Sequence, residues 1–220
     1  MPPTSVFITG ATGYIGSRLA ARLAARGHAV RALVRGGSEK KLPAGVAPVI
    51  GNALEATSFA SALRRDDTLV QLVGTPHPGP KKAAQFLSVD LASARASIEN
   101  AARARVAHFV YVSVAHPAPA MQAYVAARTE AEELLRATGL PATILRPWYA
   151  LGPGHWWPYA ILPLYWVARL VPSMREGAIR LGLVTLSDMV DALVDAVESS
   201  PSGVRVWEVP EITQPRLRGF

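Results

Sequence analysis

Cysteine is absent from the 220 residues, so disulfides, thiolate nucleophiles and zinc–thiolate sites are excluded, and nothing argues for an oxidising compartment. No cationic, apolar, small-residue leader precedes the first apolar run, and a cytoplasmic location is expected. The aromatic and apolar stretch from Trp156 to Ala168 is too short and too often broken by proline to span a bilayer, which takes about 20 apolar residues. His28, His77, His108, His116 and His155 show no helical metal spacing, so no metal is expected. Arginine-rich tails, internal repeats and low-complexity segments are missing as well. Despite a formal charge of +7, the basic residues are dispersed, and nucleic acid is not an expected partner.

Half of the chain is hydrophobic, enough for a substantial core in a single domain over residues 1–220. Apolar runs alternate with helix-period segments, the pattern of a parallel sheet covered on both faces. Strands are expected at Ser5 to Ile8, Ala29 to Val34, Val46 to Gly51, Thr68 to Val73, His108 to Val114, Ala142 to Leu145 and Val204 to Val209. Helices are expected from about Tyr14 to Arg26, Leu54 to Arg65, Lys81 to Arg105, Met121 to Thr138 and Ser187 to Glu198. Beyond Pro147 the alternation loosens, and residues 148–186 read as an aromatic, cap-like region.

The most specific motif is Thr9-Gly10-Ala11-Thr12-Gly13-Tyr14-Ile15-Gly16, set between the first strand and the first helix. Gly10 permits a tight turn, Gly13 lets the backbone approach a phosphate, and Gly16 lets the helix pack closely on the strand. The helix then directs free N–H groups and its positive dipole end at the ligand. Together these features predict an α/β fold, a Rossmann-like doubly wound parallel sheet with a small C-terminal substrate or partner region. Its ligand is expected to be a dinucleotide held beyond the strands' carboxyl ends, in the loops that follow Thr9, Val34, Gly51, Val73, Val114 and Leu145. Thr9, Gly10, Thr12, Gly13, Tyr14, Ile15, Gly16, Ala53 and Gly74 lie in these loops and are the expected contacts. Charge agrees, because residues 1–110 hold 14 Lys and Arg against 6 Asp and Glu, whereas residues 111–220 hold 9 against 10. A positive field around the glycine loop favours a polyanion.

The chain resembles the atypical branch of the short-chain dehydrogenase/reductase superfamily, along nearly its whole length. The resemblance rests on the glycine motif, Ala32-Leu33-Val34-Arg35, Gly51-Asn52, Tyr111-Val112-Ser113 and Leu145-Arg146-Pro147. Gly152-Pro153-Gly154-His155 and Leu183-Val184-Thr185-Leu186 look like the members similar to the nucleotide-binding accessory subunit of respiratory complex I. The fingerprint for NAD wants a carboxylate about 20 residues beyond the glycines; here Arg35-Gly36-Gly37-Ser38 stands at the second strand's end. A guanidinium at Arg35 can pair with a 2′-phosphate and Ser38 can add a hydrogen bond, so NADP is expected ahead of NAD. Asn52 stands where similar proteins often carry an Asp that contacts adenine.

The superfamily's catalytic pair is a tyrosine followed four residues later by lysine, and here it reads Tyr124-Val125-Ala126-Ala127-Arg128. The resemblance implies Tyr124 as proton donor and Arg128 as the group that binds the nicotinamide ribose, although arginine and lysine are not equivalent. Ser113 is the candidate for the superfamily's serine, with Val114 and Ala115 as the alternative registers. In those registers His116 or a backbone N–H would have to polarise the substrate. Ser113 has no glycine-flanked nucleophile turn, which argues against a hydrolase. Glu130, Glu132 and Glu133 read as a solvated helix face.

Two functions follow. One is an NADP(H)-dependent oxidoreductase acting on a small apolar carbonyl or quinone-like substrate. The other is a catalytically degraded cofactor-holding protein, a redox sensor or an assembly partner. The Trp156 to Ala168 segment is open to three readings: core, substrate lid, or a surface for peripheral membrane or protein docking. The sequence leaves the oligomeric state open.

Overall fold

The computed structural model describes residues 3–118, 120–152, 176–177, 179–199 and 201–214. The aromatic segment from Trp156 to Ala168 lies outside these residues, as do His155 and the greater part of the 148–186 region. Among the described residues no helix is long and apolar enough to cross a membrane.

Seven parallel strands form one sheet: β1 (Ser5–Thr9), β2 (Ala29–Val34), β3 (Ala47–Ile50), β4 (Asp67–Gln71), β5 (His108–Val112), β6 (Ala142–Leu145) and β9 (Val204–Trp207). Their spatial order is β3-β2-β1-β4-β5-β6-β9. A separate parallel pair joins β7 (Tyr149–Leu151) to β8 (Leu183–Thr185). Strand order reverses between β1 and β4, which opens the crevice where such sheets bind ligands. This is the expected Rossmann-like α/β architecture.

Alternate residues of each strand face opposite sides, which divides the core in two. Val6 and Ile8 join Val30, Ala32, Val70 and Val110 under α1 (Gly16–Ala25), α5 (Leu186–Glu198) and α6 (Val209–Thr213). Phe7 and Leu69 join Phe109, Tyr111 and Ile144 under α3 (Ala92–Ala104) and α4 (Gln122–Ala137). Because both faces are covered, the strands are largely apolar, and polar members such as Thr9, Gln71, His108 and Thr143 are themselves buried.

Local chemistry explains most boundaries. Helix α1 ends where Gly27 takes φ 84°, with Gly27 N–H bonded to Ala24 O and His28 N–H to Leu23 O, the Schellman pattern. The Thr185 hydroxyl caps α5 by accepting from Asp188 N–H at 3.0 Å. Strand β9 stops at Trp207 because Glu208 and Glu211 form a capping box for α6.

Two expected helices come out differently. Residues 54–65 form only the short 3₁₀ turns Ala56–Ser58 and Ala60–Ala62. There the Ser58 hydroxyl accepts from Asn52 N–H and donates to the Asn52 and Glu55 carbonyls, a local alternative to helical bonding. The long helix expected over 81–105 is divided into α2 (Ala83–Gln85), a π-helical turn at Phe86–Leu91, and α3. That turn carries Phe86, Asp90 and Leu91 inward, and single π-turns of this kind frequently accompany functional sites.

Candidate functional site

The cleft begins at the end of β1. The Thr9 hydroxyl is buried and bonded to the Gln71 side-chain oxygen of β4, which ties the two strands together at the crevice. Gly10 then turns with φ 80°, and a Cβ there would lie 2.8 Å from the Leu72 carbonyl carbon. A Cβ on Gly16 would lie 2.1 Å from Gly10 O, so only glycine lets α1 start this close to the loop. No side chain caps the α1 N-terminus at Ile15, where Ser17 N–H bonds Gly13 O, and the positive end of the helix dipole favours an anion beside the loop. Ile15 packs against the core, and the Tyr14 hydroxyl lies 2.1 Å from where a Gly152 Cβ would stand.

A cavity of about 390 Å³ lies at this crevice. Gly10, Thr12 and Gly13 line its middle. Arg35, Ser38, Lys41, Asn52 and Ala53 line the end over β2 and β3, and Leu72, Val73, Gly74 and Val89 the end toward β4. Arg35 and Lys41 are both exposed, giving the β2–β3 end two cations. The sequence reading missed Lys41. Its signal lay in the Lys40-Lys41 pair, which a 3₁₀ turn at Glu39–Lys41 brings back to the cleft. The Asn52 amide is engaged within its own loop: Nδ2 donates to Glu55 at 2.7 Å and Oδ1 accepts from Leu54 N–H at 3.1 Å. Each end still has one hydrogen-bonding position left for a ligand.

The tyrosine and its cation stand on α4. Tyr124 is half-buried, its ring 5.0 Å from that of Phe86. One turn later the Arg128 guanidinium lies 5.2 Å from the Tyr124 ring and 5.8 Å from that of Tyr111. Arg128 is buried, with Nη1 donating to Val112 O at 2.8 Å and Nη2 to Asp90 Oδ1 at 2.6 Å. Burial opposes its charge, but Tyr124, Tyr111 and Asp90 outweigh that, and its pKa is raised. Burial pushes the Tyr111 phenol up to about 12, against the pull of Arg128. Asp90 was another omission of the sequence reading, since a lone carboxylate in a helical segment carries no motif.

Ser113 is 2% exposed, and Val114 and Ala115 are buried beside it. His116 Nε2 approaches Glu132 Oε1 at 3.5 Å. The expectation of a solvated face at Glu130, Glu132 and Glu133 needs correction, because Glu132 is only 2% exposed. It faces the sheet and grips Arg146 at two points. Burial would raise the Glu132 pKa, yet Arg146 more than compensates and holds it below 4.5. Glu130 pairs with Arg95, and Glu133 is exposed.

A second cavity, of about 480 Å³, is bordered by Arg18, Arg22, Leu151, Gly152, Thr185, Leu186, Ser187 and Val190 and, among the described residues, shares none with the cleft. Its arginines are already engaged, Arg18 with Tyr14 O and Arg22 with Asp191. Among the described residues no group of three His, Asp or Glu side chains could hold a metal ion.

A glycine cradle at the switch point of a parallel sheet, with cations at one end, defines a dinucleotide-binding α/β protein. A family model described as NAD(P)H-binding matches residues 10–151, and the chain belongs to that family. It is 35% identical over 153 residues to the "Uncharacterized sugar epimerase YhfK" of Bacillus subtilis (strain 168), covering 64% of this chain and 70% of that protein. It is 30% identical over 227 residues to a "3-diazoavenalumate denitrifying reductase" of a Streptomyces species, covering 90% of this chain and 73% of that protein. Among solved structures it resembles Bordetella bronchiseptica WbmH in complex with NAD+ with a TM-score of 0.71 at 22% identity, covering 94% of this chain and 76% of that one. The chain is thus an NAD(P)-binding protein with the fold of the reductases and epimerases of this superfamily.

Proposed function

We propose that the protein is an NADP(H)-dependent oxidoreductase that reduces a small apolar carbonyl or quinone-like substrate in the cytoplasm, with residues 1–220 acting as one cofactor-binding unit. The observation that carries this reading is the place of Tyr124, on the first turn of α4 with a guanidinium 5.2 Å from its ring. The similarity to a named reductase over 90% of the chain supports a reductive reaction.

The cradle residues fit the cofactor. The backbone of Gly10 and Gly13 and the first turn of α1 would hold the pyrophosphate, Arg35, Ser38 and Lys41 a 2′-phosphate, and Asn52 and Ala53 the adenine. When bound, the reduced nicotinamide supplies the hydride. Tyr124 gives its phenolic proton to the substrate oxygen and regains one from water, with the Arg128 guanidinium 5.2 Å from its ring.

The test is NADPH oxidation with 9,10-phenanthrenequinone as the apolar probe. Turnover that is lost in Tyr124→Phe is expected. Tight NADPH binding without turnover would favour a second reading, a cofactor-holding sensor or assembly partner similar to the complex I accessory subunit. Two observations favour that alternative: the commitment of both Arg128 terminal nitrogens and the enclosure of the Ser113 hydroxyl.

A further inference from the structure

We propose that Asp90 is a positioning residue for the cofactor, forming with Arg128 a buried clasp that holds the wall of the cleft at Gly74 and Thr75. This rests on the cleft being the cofactor site.

Asp90 is 1% exposed. Its Oδ2 accepts from both Thr75 N–H at 2.9 Å and the Thr75 hydroxyl at 2.5 Å, and its Oδ1 accepts from Arg128 Nη2 at 2.6 Å. Arg128 Nη1 continues the chain to Val112 O at 2.8 Å. One ion pair therefore joins the loop after β4, the π-turn, α4 and the end of β5.

The clasp stands directly behind the cleft. A Cβ on Gly74 would lie 2.4 Å from Arg128 Nη2 and 3.1 Å from Asp90 Oδ1; Gly74 itself lines the cavity, as does Val89, the neighbour of Asp90. A lysine could not replace Arg128 here. Its single ammonium lacks the planar fork that reaches a carboxylate and a carbonyl through two nitrogens. With each terminal nitrogen already bonded once, Arg128 shapes the cleft from behind Gly74, a role distinct from the ribose contact that the superfamily resemblance implies.

Charge alone makes the opposite forecast, which gives the test its sign. Removing a carboxylate beside a polyanion's site should strengthen binding, and all the more if the freed guanidinium became a ligand. A clasp predicts weakening. The loss should be confined to ligands that reach β4, because a dinucleotide crosses the switch point from β2 and β3 toward β4 and β5.

The experiment is calorimetric titration of NADPH and of its adenosine-side fragment 2′,5′-ADP into the parent protein, Asp90→Asn, Arg128→Lys, Thr75→Val and Thr75→Ser. Asp90→Asn and Arg128→Lys should weaken NADPH about tenfold, as expected when a charge-assisted hydrogen bond no longer fixes a binding loop. Binding of 2′,5′-ADP should stay within about twofold. Thr75→Val removes one donor without unpairing Arg128, so it should fold where Asp90→Asn does not, and should show the same split. Thr75→Ser should behave as the parent.

Equal loss for both ligands would mark a merely structural pair and overturn the proposal, as would unchanged or tighter NADPH binding in Asp90→Asn. Failure of the parent to bind either ligand would instead overturn the assignment of the cleft as cofactor site.

Discussion

Arg146 grips Glu132 with two parallel hydrogen bonds, Nε to Oε1 at 2.9 Å and Nη2 to Oε2 at 2.5 Å, and reaches Glu208 through Nη1 at 2.9 Å. This bidentate contact ties α4 to the end of β6 and, through Glu208, to the start of α6. Glu132→Gln would leave a largely buried guanidinium with one carboxylate, and removing one partner of such a pair costs about 3 kcal/mol. Because Glu132 is held below 4.5 in the folded protein, its contribution is complete above that value and fades as pH falls through the lowered one. Urea unfolding at neutral pH and at progressively lower pH should show a lower midpoint for Glu132→Gln at neutrality, with the gap closing in acid. A constant gap would show that packing, not charge, is responsible.

A second pH effect comes from His108. Its ring is buried, Nε2 lies 3.0 Å from Thr143 Oγ1, and burial followed by the Arg205 charge lowers its pKa to about 4. The unfolded chain takes up this proton near 6.5 and the folded one only near 4, so stability should fall as pH drops between those values. The full loss is about 3 kcal/mol by linkage. His108→Gln, which cannot titrate, should flatten that part of the stability profile. An unchanged slope would assign the effect to other groups.

Cofactor binding should be lost in Gly13→Val. The Gly13 Cβ position is only 3.2 Å from Gly10 O, and the branched side chain would project into the cavity that Gly13 lines. Calorimetry on the folded variant provides the check. Unchanged NADPH affinity would mean that the pyrophosphate sits elsewhere.

Selectivity should follow charge at the β2–β3 end. Arg35→Asp is expected to reverse the preference for NADP over NAD, since a charge-assisted pair contributes about 1.5–3 kcal/mol. Lys41→Ala should reduce the preference without reversing it, because Arg35 remains. Equal loss of affinity for both cofactors in Arg35→Asp would make that arginine structural.

Tyr124→Phe should abolish NADPH oxidation with 9,10-phenanthrenequinone while leaving the dissociation constant for NADPH unchanged. It removes the transferable proton and retains the ring that packs on Phe86 and faces Arg128. Turnover at the parent rate would exclude Tyr124 as the proton donor.

The sequence by itself determined the cradle and the sheet. Apolar strands separated by helix-period segments require a parallel sheet with two covered faces, and the Gly10, Gly13 and Gly16 spacing states a backbone permission that few other functions need. Such signals are local, carried by period and by the steric freedom of single residues. Tertiary structure decided how the charges pair. Asp90 finds Arg128 across 38 residues, Glu132 finds Arg146 across 14, and Lys41 returns to the cleft by a 3₁₀ turn. A carboxylate four residues from an arginine on one helix reads as a solvated stripe until the sheet beneath it is placed, because its partner is set by packing and not by spacing. The π-turn at Phe86–Leu91 is the sharpest instance. It turns Asp90 inward, and its single extra residue per turn leaves no mark in the periodicity of so short a segment.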